Sequence, residues 1–310
     1  MGTFRDCRRK WWLGTYRRLQ LRARTVVGAA PIGTRVHSAL EPWYQPEGIE
    51  RRDPRIVVKE VIAQDRAALI ESFPPIDENA EYNPLTDALK QFESESELVT
   101  IMIDGYMDWL EETGADSDYR IIASEQTVQY EFAPGEFIAG RIDTQVQRIH
   151  DGVLFGIDHK TGDFGALEKQ LPQNEQMLLY EILRRLNNPE SRSDGMIFNM
   201  LRKVKRTARA NPPFYARKEV RFNQHQLESA WYRVMAIIND IKAVTARLDA
   251  GESHLTAAYP RPNGDCSWKC EFYIVCPMFD DGSRAEDMIQ SFYVQGDPLE
   301  RYPDLTGDSE

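Results

Sequence analysis

The chain has 310 residues, 42% of them hydrophobic, enough to bury a substantial core and close to the length at which one core gives way to several. It has no run of about eighteen apolar residues and no charged-then-apolar leader, so neither a membrane span nor a secretory signal is expected, and a cytoplasmic location is. The formal net charge of −11 argues at first sight against a polyanionic partner, although the placement of charge matters more than its sum.

Residues 1–24 carry Arg5, Arg8, Arg9, Lys10, Arg17, Arg18, Arg22 and Arg24 against Asp6, with Trp11, Trp12 and Tyr16 between them. Basic groups interleaved with aromatic rings are what single-stranded nucleic acid needs, phosphate attraction plus stacking surfaces. Cys7 to Arg24 predicts one helix, with Trp11, Leu13, Tyr16 and Leu19 as its apolar contacts. A break at Gly28, Pro31 and Gly33 follows, and Thr34 is placed to cap a second helix carrying His37 and Leu40. Residues 60–120 predict helices interrupted near Pro74-Pro75 and at Pro84, with Leu98 to Leu110 the clearest segment. The acidic surplus collects in 71–119 and in the C-terminal tail.

Residues 121–133 alternate as a strand, on which Glu125 reads as an exposed strand glutamate or as a further carboxylate for a site, and 138–160 alternate on both sides of Asp151-Gly152, a hairpin signal. The three strands predict a meander. A two-residue reversal there sets Gln145 opposite Asp158 and Asp143 opposite Lys160, and period-two alternation puts Asp143, Asp158 and Lys160 on one face. Two carboxylates with an ammonium suit an oxygen-ligated Mg²⁺ or Mn²⁺ and phosphoryl chemistry, with Lys160 orienting a water or neutralising developing charge. The pattern also describes an ordinary exposed ion pair.

A helix is expected from Gln173 to Leu186, its apolar set Met177, Leu178, Ile182, Leu183 and Leu186. Gln176 and Tyr180 share its side one turn apart. Met196 to Leu201 predicts a strand. A second basic stretch, 202–221, contains Arg202, Lys203, Lys205, Arg206, Arg209, Arg217 and Lys218 with Phe214 and Tyr215, and Leu227 to Leu248 predicts a long helix. Cys266, Cys270 and Cys276 are spaced C-x3-C-x5-C, with Cys7 at the other end of the chain. Clustered thiols in a reducing compartment suggest a metal or iron–sulfur centre that would join the two ends.

The succession of His37 in GTRVHSALE, Glu125 in SEQTV, Asp143 in GRID, Asp158-His159-Lys160 in IDHKTGD and Gln176-x3-Tyr180 in QMLLY resembles the RecB-like branch of the PD-(D/E)xK nuclease superfamily. The DCRRKWW start and the cysteine triad resemble its iron–sulfur subgroup, which includes the CRISPR-associated adaptation exonucleases, the AddB nuclease domain and many phage-encoded relatives. The resemblance runs from Cys7 to Cys276. It departs in one place, because the subgroup's usual C-x2-C is here C-x3-C.

The resemblance implies an α/β, restriction-endonuclease-like fold: a central mixed sheet flanked by helices, with the terminal segments joined by a 4Fe-4S cluster on Cys7, Cys266, Cys270 and Cys276. It implies His37, Asp143 and Asp158 as Mg²⁺ or Mn²⁺ ligands with the His159 main-chain carbonyl, Lys160 as the catalytic lysine, and Gln176 and Tyr180 beside it. The expected organisation is a basic N-terminal segment (1–30), a mainly helical part (31–120), a catalytic core (121–250) and a cysteine segment with an acidic tail (251–310). DNA is the expected partner, through Arg8, Arg9, Lys10, Arg17, Arg18, Arg202, Lys203, Lys205 and Arg206. The expected activity is a metal-dependent DNA exonuclease leaving 5′-phosphate ends, in viral recombination, repair or CRISPR adaptation and with a protein partner from one of those assemblies. The alternatives are a non-cutting DNA-end-binding subunit and a redox-sensing iron–sulfur DNA-binding protein.

Overall fold

The structure, a computed structural model, describes residues 1–22, 26–73, 83–190 and 192–297. Arg24, the Pro74-Pro75 break and the acidic tail lie outside the described residues. The chain forms two compact units, Thr25–Glu228 and a second made of Met1–Arg24 with Ser229–Glu310.

The N-terminal segment departs from the single helix expected over Cys7 to Arg24. Two short helices, α1 (Gly2–Asp6) and α2 (Arg8–Trp11), flank Cys7, whose backbone is extended at φ −161, and a π-helical turn (Trp12–Tyr16) leads to strand β1 (Leu19–Leu21). Arg18, in the left-handed region at φ 55, ends the helical run. Trp11 and Trp12 are buried with Phe4, Leu13 and Leu19. Both are core and not stacking surfaces; for Trp11 this agrees with its place among the apolar residues of the segment, whereas Trp12 was expected only as a stacking surface.

In the larger unit α3 (Ala29–Leu40) begins earlier than a Thr34 cap would allow. Gly28 precedes it with its N–H on both Glu95 carboxylate oxygens (2.9 and 2.8 Å), Pro31 occupies the first turn where a missing N–H costs nothing, and Thr34 bonds back to the Ala30 carbonyl (3.3 Å). Helix α4 (Pro54–Glu71) is capped by Asp53, and α5 (Pro84–Thr113) by Asn83, each with proline in the first turn; Gly114 at φ 61 ends α5. Then come β2 (Tyr119–Ala133), β3 (Glu136–Arg148), β4 (Leu154–Gly162), α6 (Phe164–Gln170), α7 (Glu175–Asn187), β5 (Ser193–Arg202), β6 (Tyr215–Val220) and α8 (Gln224–Asp249), which the unit boundary divides.

The five strands lie in the order β2-β3-β4-β5-β6, antiparallel except β4–β5, which is parallel and needs the α6–α7 crossover. The meander is as expected. Strand β6, inside the second basic stretch, was not expected: its burial does not alternate, so only its partner β5 defines it. The result is an α/β fold with a five-stranded mixed sheet flanked by helices, consistent with a restriction-endonuclease-like architecture.

Val36, Leu40, Val58, Val99, Ile103 and Tyr106 of α3, α4 and α5 are buried with Val146, Phe155, Ile157, Ile197 and Leu201 of the sheet. Each such side chain contributes roughly 1.5–3 kcal/mol through burial. Helix α7 packs on β2, β3 and β5 through its expected apolar set, except for Leu186, which is exposed.

The smaller unit is completed by α9 (His254–Ala257), α10 (Cys266–Lys269), α11 (Ala285–Phe292) and β7 (Tyr293–Gln295). Strand β7 pairs antiparallel with β1, so the two ends of the chain share a two-stranded sheet. No described helix is long and apolar enough to cross a membrane.

Candidate active site

The hairpin between β3 and β4 is wider than a two-residue reversal. Arg148 pairs with Val153, and Gly152, at φ 71, returns its N–H to the Arg148 carbonyl (2.9 Å). Asp151 does not sit at a tight turn: it takes the Arg148 guanidinium (3.1 and 2.7 Å) and the Val153 N–H (3.2 Å), which favours the longer loop. The register therefore moves by two residues, Gln145 facing Gly156 instead of Asp158. A slip of two keeps every side chain on its face. Continued one step past Thr144–Ile157, this register sets Asp143 beside Asp158 and not beside Lys160.

The ladder stops there. The His159 N–H, next in line for a β3 carbonyl, donates instead to Asp143 Oδ2 at 2.7 Å. His37, one turn from the end of α3, places Nδ1 3.4 Å from the same oxygen. Glu125, opposite Asp143 on β2, completes the group: ligand atoms of His37, Glu125 and Asp143 all lie within 4.8 Å of one another. Glu125 has φ 47, a left-handed conformation that costs a side-chain-bearing residue of order 1 kcal/mol or more and that is concentrated at functional positions. Arg141 reaches its carboxylate at 2.9 Å.

On the neighbouring strand Asp158 is 1% exposed. Its Oδ1 accepts from Lys160 Nζ (2.9 Å), and its Oδ2 is buried with no hydrogen-bond partner. Lys160 also donates to Gln176 Oε1 (3.0 Å), and Gln176 Nε2 donates to the Tyr180 hydroxyl (2.8 Å). Thus α7 holds the lysine from the far side through the pair expected to share one helix face. The Tyr180 ring lies against Gly140, where a Cβ would come within 2.5 Å of it; this explains a glycine two residues before Ile142 in GRID.

The charges in this cluster strain against burial. Desolvation, the Asp143 charge and Glu41 push Glu125 up to about 7 despite Arg141, and burial pushes Asp158 up against the pull of Lys160. Asp143 is buried too, yet the His37 contact and the His159 N–H hold it below the usual carboxylate range. His37 is raised: its desolvation acts downward and is the largest single effect, but the Asp143 hydrogen bond and the Asp143 and Asp158 charges together outweigh it. Three carboxylates, one of them with an unpartnered buried oxygen, outnumber the Arg141 and Lys160 charges beside them, and a hard divalent cation is what such a donor set fits.

A profile of the PD-(D/E)XK nuclease superfamily matches residues 1–277. The chain belongs to that superfamily. Membership makes it a nuclease by family, with DNA the implied substrate and Mg²⁺ or Mn²⁺ the typical metals. Among solved structures it is similar to a candidate exonuclease from Eubacterium rectale, at 11% identity and a TM-score of 0.36, over 76% of this chain and 92% of that one. No curated protein matches it.

The structure thus brings together His37, Asp143, Asp158, Lys160, Gln176 and Tyr180 of this nuclease. Glu125 stands closer to His37 and Asp143 than its place on a strand suggested, since an exposed glutamate and this one look alike in sequence. The basic candidates are more varied. Arg9 is 1% exposed, forked onto Asp280 (2.5 and 2.9 Å) and bonded to the Cys276 carbonyl, so it serves the fold and offers no surface to a phosphate. Arg17 is forked onto Glu286 (2.9 and 2.8 Å), Lys10 is 4.0 Å from Glu271, and Arg8 lies over Phe4 and Tyr259. Arg18 lies at the left-handed turn before β1. Arg202 bonds the Asn211 carbonyl, Lys203 reaches the Ala29 carbonyl (3.4 Å), Lys205 pairs with Glu97, and Arg206 stacks on Phe214 (3.9 Å). Tyr215 is buried in the core.

All four cysteines are free thiols in the smaller unit and partly buried. Cys7 accepts the Arg261 N–H (3.5 Å) and Cys266 the Asn263 N–H (3.4 Å). Burial raises the Cys270 and Cys276 thiols, with a smaller contribution from Cys7 in each case. Among the described residues no three cysteine sulfurs approach within 4.8 Å, so they are not gathered as ligands of a single ion.

Proposed function

We propose that this nuclease is a divalent-metal-dependent DNA exonuclease whose centre is built on His37, Glu125, Asp143, Asp158 and Lys160. The observation that carries the reading is the convergence of three buried or half-buried carboxylates and a histidine beside a lysine that is itself held by Gln176. Mg²⁺ or Mn²⁺ held by His37, Asp143 and Glu125, with the free Oδ2 of Asp158 and the His159 carbonyl at hand, would make water a stronger nucleophile and polarise a phosphoryl oxygen. Lys160 orients the attacking water and meets the charge that develops on the phosphoryl oxygens. Gln176 fixes the ammonium by accepting a hydrogen bond from it, and Tyr180 fixes Gln176. In-line attack with departure of the 3′ oxygen leaves 5′-phosphate ends.

The cysteines support a second element of the reading, a 4Fe-4S cluster on Cys7, Cys266, Cys270 and Cys276. The thiolates of such a cluster sit on separate irons and need not approach as ligands of one ion do. Backbone N–H groups on Cys7 and Cys266 are of the kind that stabilise thiolate charge. The test of the whole reading is cleavage of end-labelled linear and covalently closed DNA with Mn²⁺, Mg²⁺ or EDTA. Metal-dependent loss of linear substrate alone is expected, and equal cutting of circles would end the exonuclease assignment.

A further inference from the structure

Behind the catalytic strand runs a row of polar side chains that the proposed chemistry does not use. His159, Asn199 and Arg217 are direct cross-strand neighbours on β4, β5 and β6, within the core beneath α3 and α5. Asn199 is 0% exposed. Arg217 donates from Nε to Asn199 Oδ1 (3.0 Å), from one terminal nitrogen to the Tyr44 and Tyr106 hydroxyls (2.7 and 2.9 Å), and from the other to the Ala115 carbonyl (2.7 Å), the same nitrogen lying 2.7 Å from Asp116 Oδ1 as an ion pair. Four of its five N–H groups donate hydrogen bonds, and an ion pair with Asp116 adds to them.

This fixes every proton downstream. A guanidinium has no acceptor, so the Asn199 oxygen must face Arg217 and its NH₂ must face the other way, donating to the Tyr106 hydroxyl (2.9 Å) and to His159 Nδ1 (2.7 Å). His159 Nδ1 is therefore an acceptor. Tyr106 accepts twice and donates its hydrogen bond to the Tyr44 hydroxyl (2.7 Å), which in turn donates to Asp116 (3.4 Å). Apolar residues of similar volume would fill this space at less cost, and the protonated Nε2 of His159 is buried without a partner, so a polar network here needs a reason beyond stability.

We propose that Asn199 and Arg217 are positioning residues: they hold the His159 ring in one tautomer and orientation, and through it the strand segment whose N–H binds Asp143 and whose neighbours are Asp158 and Lys160. The inference rests on the nuclease reading for its purpose, though not for its geometry. Asn199→Asp keeps an acceptor for Arg217 but has no donor for His159, so Nδ1 must change from acceptor to donor.

The experiment is ¹⁵N NMR of the imidazoles in metal-free protein, which holds only five histidines, together with Mn²⁺ affinity, melting temperature and steady-state kinetics. In Asn199→Asp the His159 nitrogen signature should switch, Mn²⁺ affinity should fall about tenfold or more, and kcat should fall similarly at unchanged KM. Val99→Ala, a cavity in the same core, should lower the melting temperature without moving the His159 signals. Asn199→Asp with the wild-type ring signature, or with a switched ring but wild-type Mn²⁺ affinity, would overturn the proposal. The NMR and Mn²⁺ arms require no cleavage, so a wild-type protein that cuts no DNA would sink the nuclease reading separately.

Discussion

At the scale of single residues, the centre is a balance between burial and charge. Asp143 and Asp158 meet at the point where two strands stop pairing, and each is held by a different donor, the His159 N–H and the Lys160 ammonium. Asp143→Ala, Asp158→Ala or Lys160→Ala should therefore leave a folded protein whose cleavage rate falls by about 10³-fold or more, checked by single-turnover assays beside circular dichroism. Glu125 gives a prediction with a defined sign. Its pKa in the folded protein is raised to about 7, so between its unfolded value and that point the folded state binds the extra proton and stability falls as pH rises. Glu125→Gln should stabilise the metal-free protein at pH 8, by about 1–3 kcal/mol, and the gain should vanish as pH falls below about 5. With saturating Mn²⁺ the wild type should recover the difference. A melting-temperature series against pH, with and without Mn²⁺, measures all three.

Between elements, the decisive contacts are those of α7 with the sheet. Gly140 on β3 exists in its present form because the Tyr180 ring occupies the space where a Cβ would stand. Gly140→Ala should push that ring off the strand, loosen Gln176 from Lys160, and lower kcat more than KM, with a stability loss of about 1–3 kcal/mol from overpacking. Stopped kinetics paired with urea unfolding separates the two effects. The helices and strands that carry the site were legible because their periodicities are local: the Gln176–Tyr180 spacing, the alternation through GRID and IDHK, and the long apolar stripe of α5. The loop length at Asp151 was not, since Asp-Gly reads as a tight turn until Arg148 is seen to claim the aspartate. Strand β6 was hidden for a related reason, its identity resting on pairing with β5.

Over the whole molecule, the smaller unit is assembled from both ends of the chain, with Arg9 on Asp280, Arg17 on Glu286 and β1 on β7. If a cluster joins Cys7 to the C-terminal cysteines, Cys7→Ser should remove the visible absorption of anaerobically purified protein and lower its melting temperature together; loss of colour at constant melting temperature would deny the cluster a structural part. The sequence by itself determined the order of the candidate site residues and which of their side chains share a face, because strand and helix periods are properties of a few consecutive residues. Only the tertiary structure decided that Glu125 joins His37 and Asp143, that Trp11, Trp12 and Arg9 belong to a core, and that Asn199 and Arg217 stand in line behind His159. Those outcomes depend on which distant segments lie side by side, and pairing across a sheet is set by burial and hydrogen-bond satisfaction summed over the fold rather than by any local run of residues.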